Sequence, residues 1–354
     1  MMSVQIAPGQ AKLRSCGNAF PGEHISNDVL LTHLEQLCGR KTARQARIIA
    51  KRLGIEGRYV SRRLDQALSE PQVSAPILSA LAIRQALEGC PADTELGYLI
   101  SHTATPHTLL PSSAAWIAEE LALQAPYMEL RQACTGFASA LQIAVPMLHH
   151  NPQMQPVCIV GTEVGSVFFD IDNDFIDTAQ LINYVQMGDA AATVILDRDD
   201  GSNEQIISHC FSGHIGLNKA PGFQLCGGGS ERPECEQKLP YFLHRADSVR
   251  EAGPQLFLKG IEAIVGQGFS LDEFDYILPH QANGHIDRLL SEYLQLPCER
   301  IVNDAKRWGN LGSAAIWASL NGLIMSGKLE RGNRVLVLGA EATKYMYGGF
   351  IYQH

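Results

Sequence analysis

Val157-Cys158-Ile159-Val160-Gly161-Thr162-Glu163 and Val335-Leu336-Val337-Leu338-Gly339-Ala340-Glu341 are one phrase written twice, 178 positions apart. Each is an apolar run that ends in glycine, a small residue and glutamate. An uninterrupted apolar run of this length reads as a strand buried on both faces. Without a gap, the same offset carries Pro76 onto Pro254, and Leu78, Ile83, Ala86 and Leu87 onto Leu256, Ile261, Ile264 and Val265. It carries Tyr98 onto Tyr276 and His102 onto His280. The chain is a duplicated α/β scaffold. Polar residues at matching places differ, however: Cys134 falls on Gly312 and Gln132 on Asn310. Different chemical groups at equivalent places suggest one active site built between two related halves.

Outward from these strands, short apolar runs alternate with longer helical patterns. Strands are expected over 96–100, 157–161, 191–196, 276–279 and 335–339. Helices are expected over 28–39, 42–53, 76–88, 112–123, 136–148, 254–266, 284–293 and 313–325. The alternation predicts a mainly parallel sheet covered on both faces. Pro76 and Pro254 suit the first helical turn, where a missing N–H costs nothing. Each half is expected to hold its own sheet, with the halves packed through helices at a pseudo-twofold and divided as 1–185 and 186–354. The stretch 200–247, with Cys226-Gly227-Gly228-Gly229-Ser230, reads as a loop insertion.

Bulk properties narrow the function. The chain has 354 residues, 45% hydrophobic and 18% charged, with a formal net charge of -9. That balance argues against general nucleic-acid affinity. No stretch reaches the length of a membrane span, and MMSVQIAPGQ lacks the basic-then-apolar pattern of a secretory signal. Nine scattered cysteines fit free thiols in a reducing compartment. A cytoplasmic enzyme is the expectation.

Three residues carry the candidate chemistry. Cys134, in Arg131-Gln132-Ala133-Cys134-Thr135-Gly136-Phe137-Ala138, stands between a strand-like and a helical segment. A thiol there faces the positive end of a helix dipole, which favours thiolate, and its small neighbours leave room for a ligand. His280, in Leu278-Pro279-His280-Gln281-Ala282-Asn283, follows a strand, where ligands bind in such sheets. Its repeat mate His102 is read as structural. Asn310, in Gly309-Asn310-Leu311-Gly312-Ser313-Ala314-Ala315, opens the helix equivalent to the one after Cys134.

These three motifs, in this order, resemble the active-site motifs of β-ketoacyl-acyl carrier protein synthase III, in the thiolase-like superfamily. The similarity includes the stretches LLPSSAAWI and MGDAAATVIL and runs over nearly the whole chain. The resemblance implies a five-layered αβαβα fold, usually a homodimer, and an acyltransferase without a permanently bound cofactor or metal. It implies that Cys134 takes an acyl group from a coenzyme A or carrier-protein thioester. His280 and Asn310 would then act on a malonyl-type thioester, giving decarboxylative Claisen condensation in fatty acid or polyketide biosynthesis. The backbone N–H groups of Cys134 and Ala342 would form the oxyanion hole. Arg52 matches an arginine that contacts the coenzyme A phosphate region, and Asn283 belongs to the matching histidine motif. Acyl transfer to an alcohol or amine and a non-catalytic subunit of a heteromeric synthase stand beside this reading.

The chain also departs from the family pattern. The last loop, 339–348, is one residue longer between its glycines and carries Glu341 and Lys344. Glu341 either alters the pocket or belongs to the scaffold, as Glu163 does at the same repeat position. Ile48 stands where a tryptophan that stacks on adenine is expected, which favours a carrier-protein donor. Gly284-His285 replaces an arginine-bearing continuation of the histidine motif. From Arg40 to Arg63, nine basic residues face one acid, Glu56. This reads either as a patch for a phosphopantetheine phosphate or acidic carrier protein, or as a solvated helix face. The run Asp170-Ile171-Asp172-Asn173-Asp174 lacks the glycine and glutamate of a calcium loop.

Overall fold

The computed structural model describes residues 4–67, 70–171, 176–227, 229–230 and 241–354. The chain begins with β1 (Gln5–Ile6), β2 (Ala11–Ala19), β3 (Ile25–Ser26), α1 (Asn27–Leu53), β4 (Gly57–Arg58) and α2 (Ala75–Glu88). Then come β5 (Tyr98–His102), α3 (Ser113–Leu121), β6 (Tyr127–Leu130), α4 (Gly136–His150), β7 (Val157–Glu163), α5 (Thr178–Gln186) and β8 (Ala190–Arg198). The rest supplies β9 (Ile206–His214), β10 (Phe223–Cys226), β11 (Tyr241–His244), α6 (Ala246–Val265), β12 (Tyr276–Pro279) and α7 (Ile286–Leu294). It ends with α8 (Ala305–Trp308), α9 (Ala315–Met325), β13 (Arg334–Glu341) and β14 (Met346–Gln353).

The duplication is visible in the strand register. Tyr98 of β5 pairs with Val157 of β7, and Tyr276 of β12 pairs with Val335 of β13, both in parallel. One block of strands runs β6-β5-β7-β8-β2 and the other β9-β14-β13-β12, with β1 beside β9. Separate sheets were expected, but the blocks join edge to edge. The joint is short, Ala11 opposite Ile207 and Lys12 opposite Ile206. Helices α2 and α3 cover the first block, α6 covers the second, and α4 and α9 contact strands of both. This is the helix–sheet–helix–sheet–helix order of a thiolase-like fold. The central layer is held by Phe137 of α4, Trp317 of α9 and Phe350 of β14, all fully buried. Their ring centroids lie 5.6–5.8 Å apart, within the range of favourable aromatic pairs.

Several expectations need correction. The pairing is mixed rather than mainly parallel: β7–β8, β8–β2, β9–β14 and β13–β14 are antiparallel. A continuous apolar run reports burial on both faces and carries no information on direction. Strand β8 sits between β2 and β7. Pro254 lies inside α6, which begins eight residues earlier at Ala246. The expected helices over 28–39 and 42–53 form one run with a break at Gly39, φ 80° and ψ 170°. The stretch 200–247 contains β9 and the β10–β11 hairpin. Gly228 within it lies outside the described residues, as do Asp172, Asn173 and Asp174 of the acidic run. Among the described residues, no helix is long and apolar enough to cross a membrane.

Candidate active site

Cys134, His280, Asn310 and Ala342 line one cavity of about 150 Å³. Each stands at the end of a central element. Cys134 precedes Thr135, the N-cap residue of α4. His280 follows β12, its N–H donating to the Leu338 carbonyl at 2.7 Å. Ala342 opens the turn between β13 and β14. Asn310 is held on both sides of its peptide. Its N–H donates to the Gln186 carbonyl at 2.8 Å, and its carbonyl accepts from the Gly188 N–H at 3.0 Å. The Asn310 side-chain Oδ1 accepts from the Gly312 N–H at 3.0 Å, which leaves Nδ2 as the amide's group available to a ligand. Gly312 occupies Cys134's repeat position at φ 53°, and a Cβ there would lie 2.5 Å from Glu163 Oε2. The two repeat-equivalent positions therefore cannot both carry a side chain such as cysteine.

Two buried glutamates tie the halves together. Glu163 at the end of β7 accepts from the Ser313 N–H at 3.0 Å and the Ser313 hydroxyl at 2.8 Å. Glu341 at the end of β13 accepts from the Thr135 N–H at 3.0 Å and the Thr135 hydroxyl at 2.7 Å. Each carboxyl group thus grips the helix entry of the other half, through residues at matching repeat positions. Glu341 belongs to the scaffold, as one of its two readings held, and it also lines the cavity.

Burial, and then the negative charges of Glu341 and Glu163, push the Cys134 thiol up, while its backbone hydrogen bond lowers it. The positive end of the α4 dipole also acts to lower it. Burial pushes the His280 imidazole down to about 4, which keeps it neutral near pH 7. Its Nδ1 has no hydrogen-bond partner among the described residues. His102 is buried away from the cavity, and a Cβ at Gly136 would lie 2.3 Å from its ring. It fills a packing position, as read from the sequence.

The remaining candidates lie elsewhere. Arg52 is exposed near the end of α1, and neither it nor Asn283 lines the cavity. Asn283 Oδ1 accepts from the His285 N–H at 2.9 Å, at the entry to α7. Of the nine basic residues, Arg58 and Arg62 are fully buried and spend donors on backbone carbonyls, those of Val185 and Gln66 among them. The exposed patch is therefore smaller than the sequence suggests. Ile48 is 49% exposed on the same helix. Phe223, Phe242, His244, Asn183 and Tyr345 also line the cavity and escaped the sequence reading. The available signal was Phe242 and His244, two residues apart as on one face of a strand, in a stretch taken for a loop.

Comparison with known proteins agrees with this architecture. Residues 128–213 match the family model "3-Oxoacyl-[acyl-carrier-protein (ACP)] synthase III", and residues 265–353 match its C-terminal model. These matches support the ketosynthase III family for this chain. This acyltransferase family includes the β-ketoacyl-acyl carrier protein synthase III of Methylococcus capsulatus, 27% identical over 92% of this chain and 94% of that one. It also includes that of Xanthomonas axonopodis pv. citri, 26% identical over 97% and 98%. Among solved structures, a tetronic acid condensing enzyme, AbyA1, superposes with a TM-score of 0.83 at 23% identity, covering 97% of this chain and all of that one. The synthase III of Pseudomonas aeruginosa PAO1 gives 0.78 at 21% identity, over 97% and 98%. The chain thus shares a thiolase-like fold with a protein named as a condensing enzyme and with a synthase III.

Proposed function

We propose that this ketosynthase III performs decarboxylative Claisen condensation through Cys134, His280 and Asn310. The observation that carries the reading is their convergence on one cavity, with the Asn310 amide oriented by Gly312. In the first step Cys134 Sγ attacks the carbonyl of an acyl thioester. The acyl–sulfur bond to the donor breaks, and the thiol proton passes to the departing sulfur, with neutral His280 as the relay. Coenzyme A or a carrier protein is the donor.

A malonyl-type thioester then loses its carboxylate as CO2, and the electron pair collects on the enolate oxygen. His280 N–H and Asn310 Nδ2 are the donors to that oxygen. Such a preorganised donor is worth about 3 kcal/mol. The enolate carbon attacks the acyl-Cys134 carbonyl. Its oxyanion takes hydrogen bonds from the Cys134 and Ala342 N–H groups, and the Cys134 sulfur leaves. Condensation is preferred to plain acyl transfer because the relatives are named β-ketoacyl-acyl carrier protein synthases and a structural neighbour is named a condensing enzyme. Acyl carrier protein as partner, a homodimer and a cytoplasmic setting belong to the same reading.

The test is intact mass after incubation with acyl thioesters, with and without malonyl thioester. An adduct that is absent in Cys134→Ala and discharged with CO2 release is expected. Asn310→Ala is expected to keep the adduct and slow its discharge by about 100-fold or more. Discharge only by an amine or alcohol would replace condensation with acyl transfer.

A further inference from the structure

Gln186, the last residue of α5, is bonded to the segments that carry both proposed enolate donors. Its backbone carbonyl accepts from the Asn310 N–H at 2.8 Å. Its side-chain Nε2 donates at 2.6 Å to the carbonyl of Ala282, two residues past His280. The approach to the Asn310 segment is close. Gly309 stands at φ 71°, and a Cβ there would lie 2.7 Å from the Gln186 carbonyl oxygen. Gln186 is half-buried and lines the cavity together with His280, Ala282 and Asn310.

The His280 ring gives this link its weight. A histidine set for chemistry is commonly oriented by a bond to its second ring nitrogen, but His280 Nδ1 has no partner among the described residues. The placement of the ring therefore rests on the backbone and packing around it. That backbone is fixed at one end by the His280 N–H, which donates to the Leu338 carbonyl at 2.7 Å. It then turns, the Ala282 N–H donating to the His280 carbonyl at 2.9 Å, and Gln186 holds the far side of the turn. One residue thus ties the peptide of Asn310 to the turn that carries His280. Two donors serve one enolate oxygen only at the right separation, and a displacement of about 1 Å can cost about 100-fold in rate. We propose that Gln186 is a positioning residue that sets His280 against Asn310 for enolate formation. The proposal rests on the condensation reading above.

The experiment loads Cys134 to completion with acetyl- or hexanoyl-CoA, adds malonyl-CoA and follows loss of the adduct by intact mass. Gln186→Met keeps the length and removes the donor, and is expected to slow discharge about tenfold or more. In a His280→Ala background the same substitution is expected to change discharge by less than about twofold, because the group it positions is gone. Gln186→Glu faces the Ala282 carbonyl with an oxygen when ionised and with an O–H when protonated. Its deficit against the wild type is therefore expected to shrink as the pH falls from 8 towards 5, while that of Gln186→Met stays constant. Wild-type discharge in Gln186→Met would overturn the proposal. So would an equal factor lost in the His280→Ala background, which is what a general loosening of the cavity wall produces. The pH profile of Gln186→Glu decides if Gln186→Met does not fold. A wild type that loads but is never discharged by malonyl-CoA would overturn the condensation reading itself, and this role with it.

Discussion

Cys134 is chemically ordinary only in isolation. Burial, and then its neighbours Glu341 and Glu163, oppose loss of its proton. Glu341→Gln keeps an oxygen for the Thr135 hydrogen bonds and removes the charge. A negative neighbour disfavours thiolate, so its removal lowers the pH at which the thiolate forms. Iodoacetamide alkylation of Cys134 is therefore expected to be faster in Glu341→Gln than in the wild type at pH 8, with the rise in rate displaced to lower pH. An unchanged pH profile would remove Glu341 from the electrostatics of the site. At this scale the sequence named Cys134, His280 and Asn310 through short motifs. The raised thiol was hidden, because Glu341 reaches Thr135 across 206 residues.

At the scale of elements, glycines decide how closely helices approach strands. Gly161 of β7 and Gly339 of β13 are repeat mates. A Cβ at Gly161 would lie 2.2 Å from the Ser313 carbonyl, and one at Gly339 would lie 2.6 Å from the Phe137 ring. Phe137 is fully buried between Trp317 and Phe350 and has no room to retreat. Gly339→Ala is expected to destabilise the protein by about 1–3 kcal/mol, the cost of overpacking a core. Gly39→Ala in α1 meets no atom within 4 Å, but φ 80° with ψ 170° is a region essentially reserved for glycine, so it too is expected to cost about 1–3 kcal/mol. Urea midpoints with unchanged slope would measure both losses. A Gly339→Ala loss below about 0.5 kcal/mol would mean that contact with Phe137 is not what Gly339 avoids. Most helices were legible from their periods, but of the strands only β5, β7, β8, β12 and β13 were. Strand direction and the place of Pro254 in α6 were not, since both depend on which neighbour an element meets.

At the scale of the molecule, the two halves meet through a reciprocal grip. Glu163 takes hydrogen bonds from Thr103, Ala104 and Thr105 of its own half and from Ser313 of the other. Glu163→Ala strands several buried donors at once. A loss of roughly 3 kcal/mol or more is expected, with a smaller loss in Glu163→Gln, which keeps one accepting oxygen. Calorimetry or chemical denaturation would measure it, and a loss below about 1 kcal/mol would show that the halves are held by apolar packing alone.

The sequence by itself determined the duplication, the buried strands, the family and the three residues at the centre of the candidate site. These are periodic or local signals, carried by burial patterns and contiguous motifs. Only the tertiary structure decided that Glu163 and Glu341 cross between halves, that Arg58 and Arg62 are buried, and that the β10–β11 hairpin walls the cavity. Those facts depend on distant segments meeting. The free energy of a hydrogen bond or a buried charge is set by the atoms around it in space, whatever their separation along the chain.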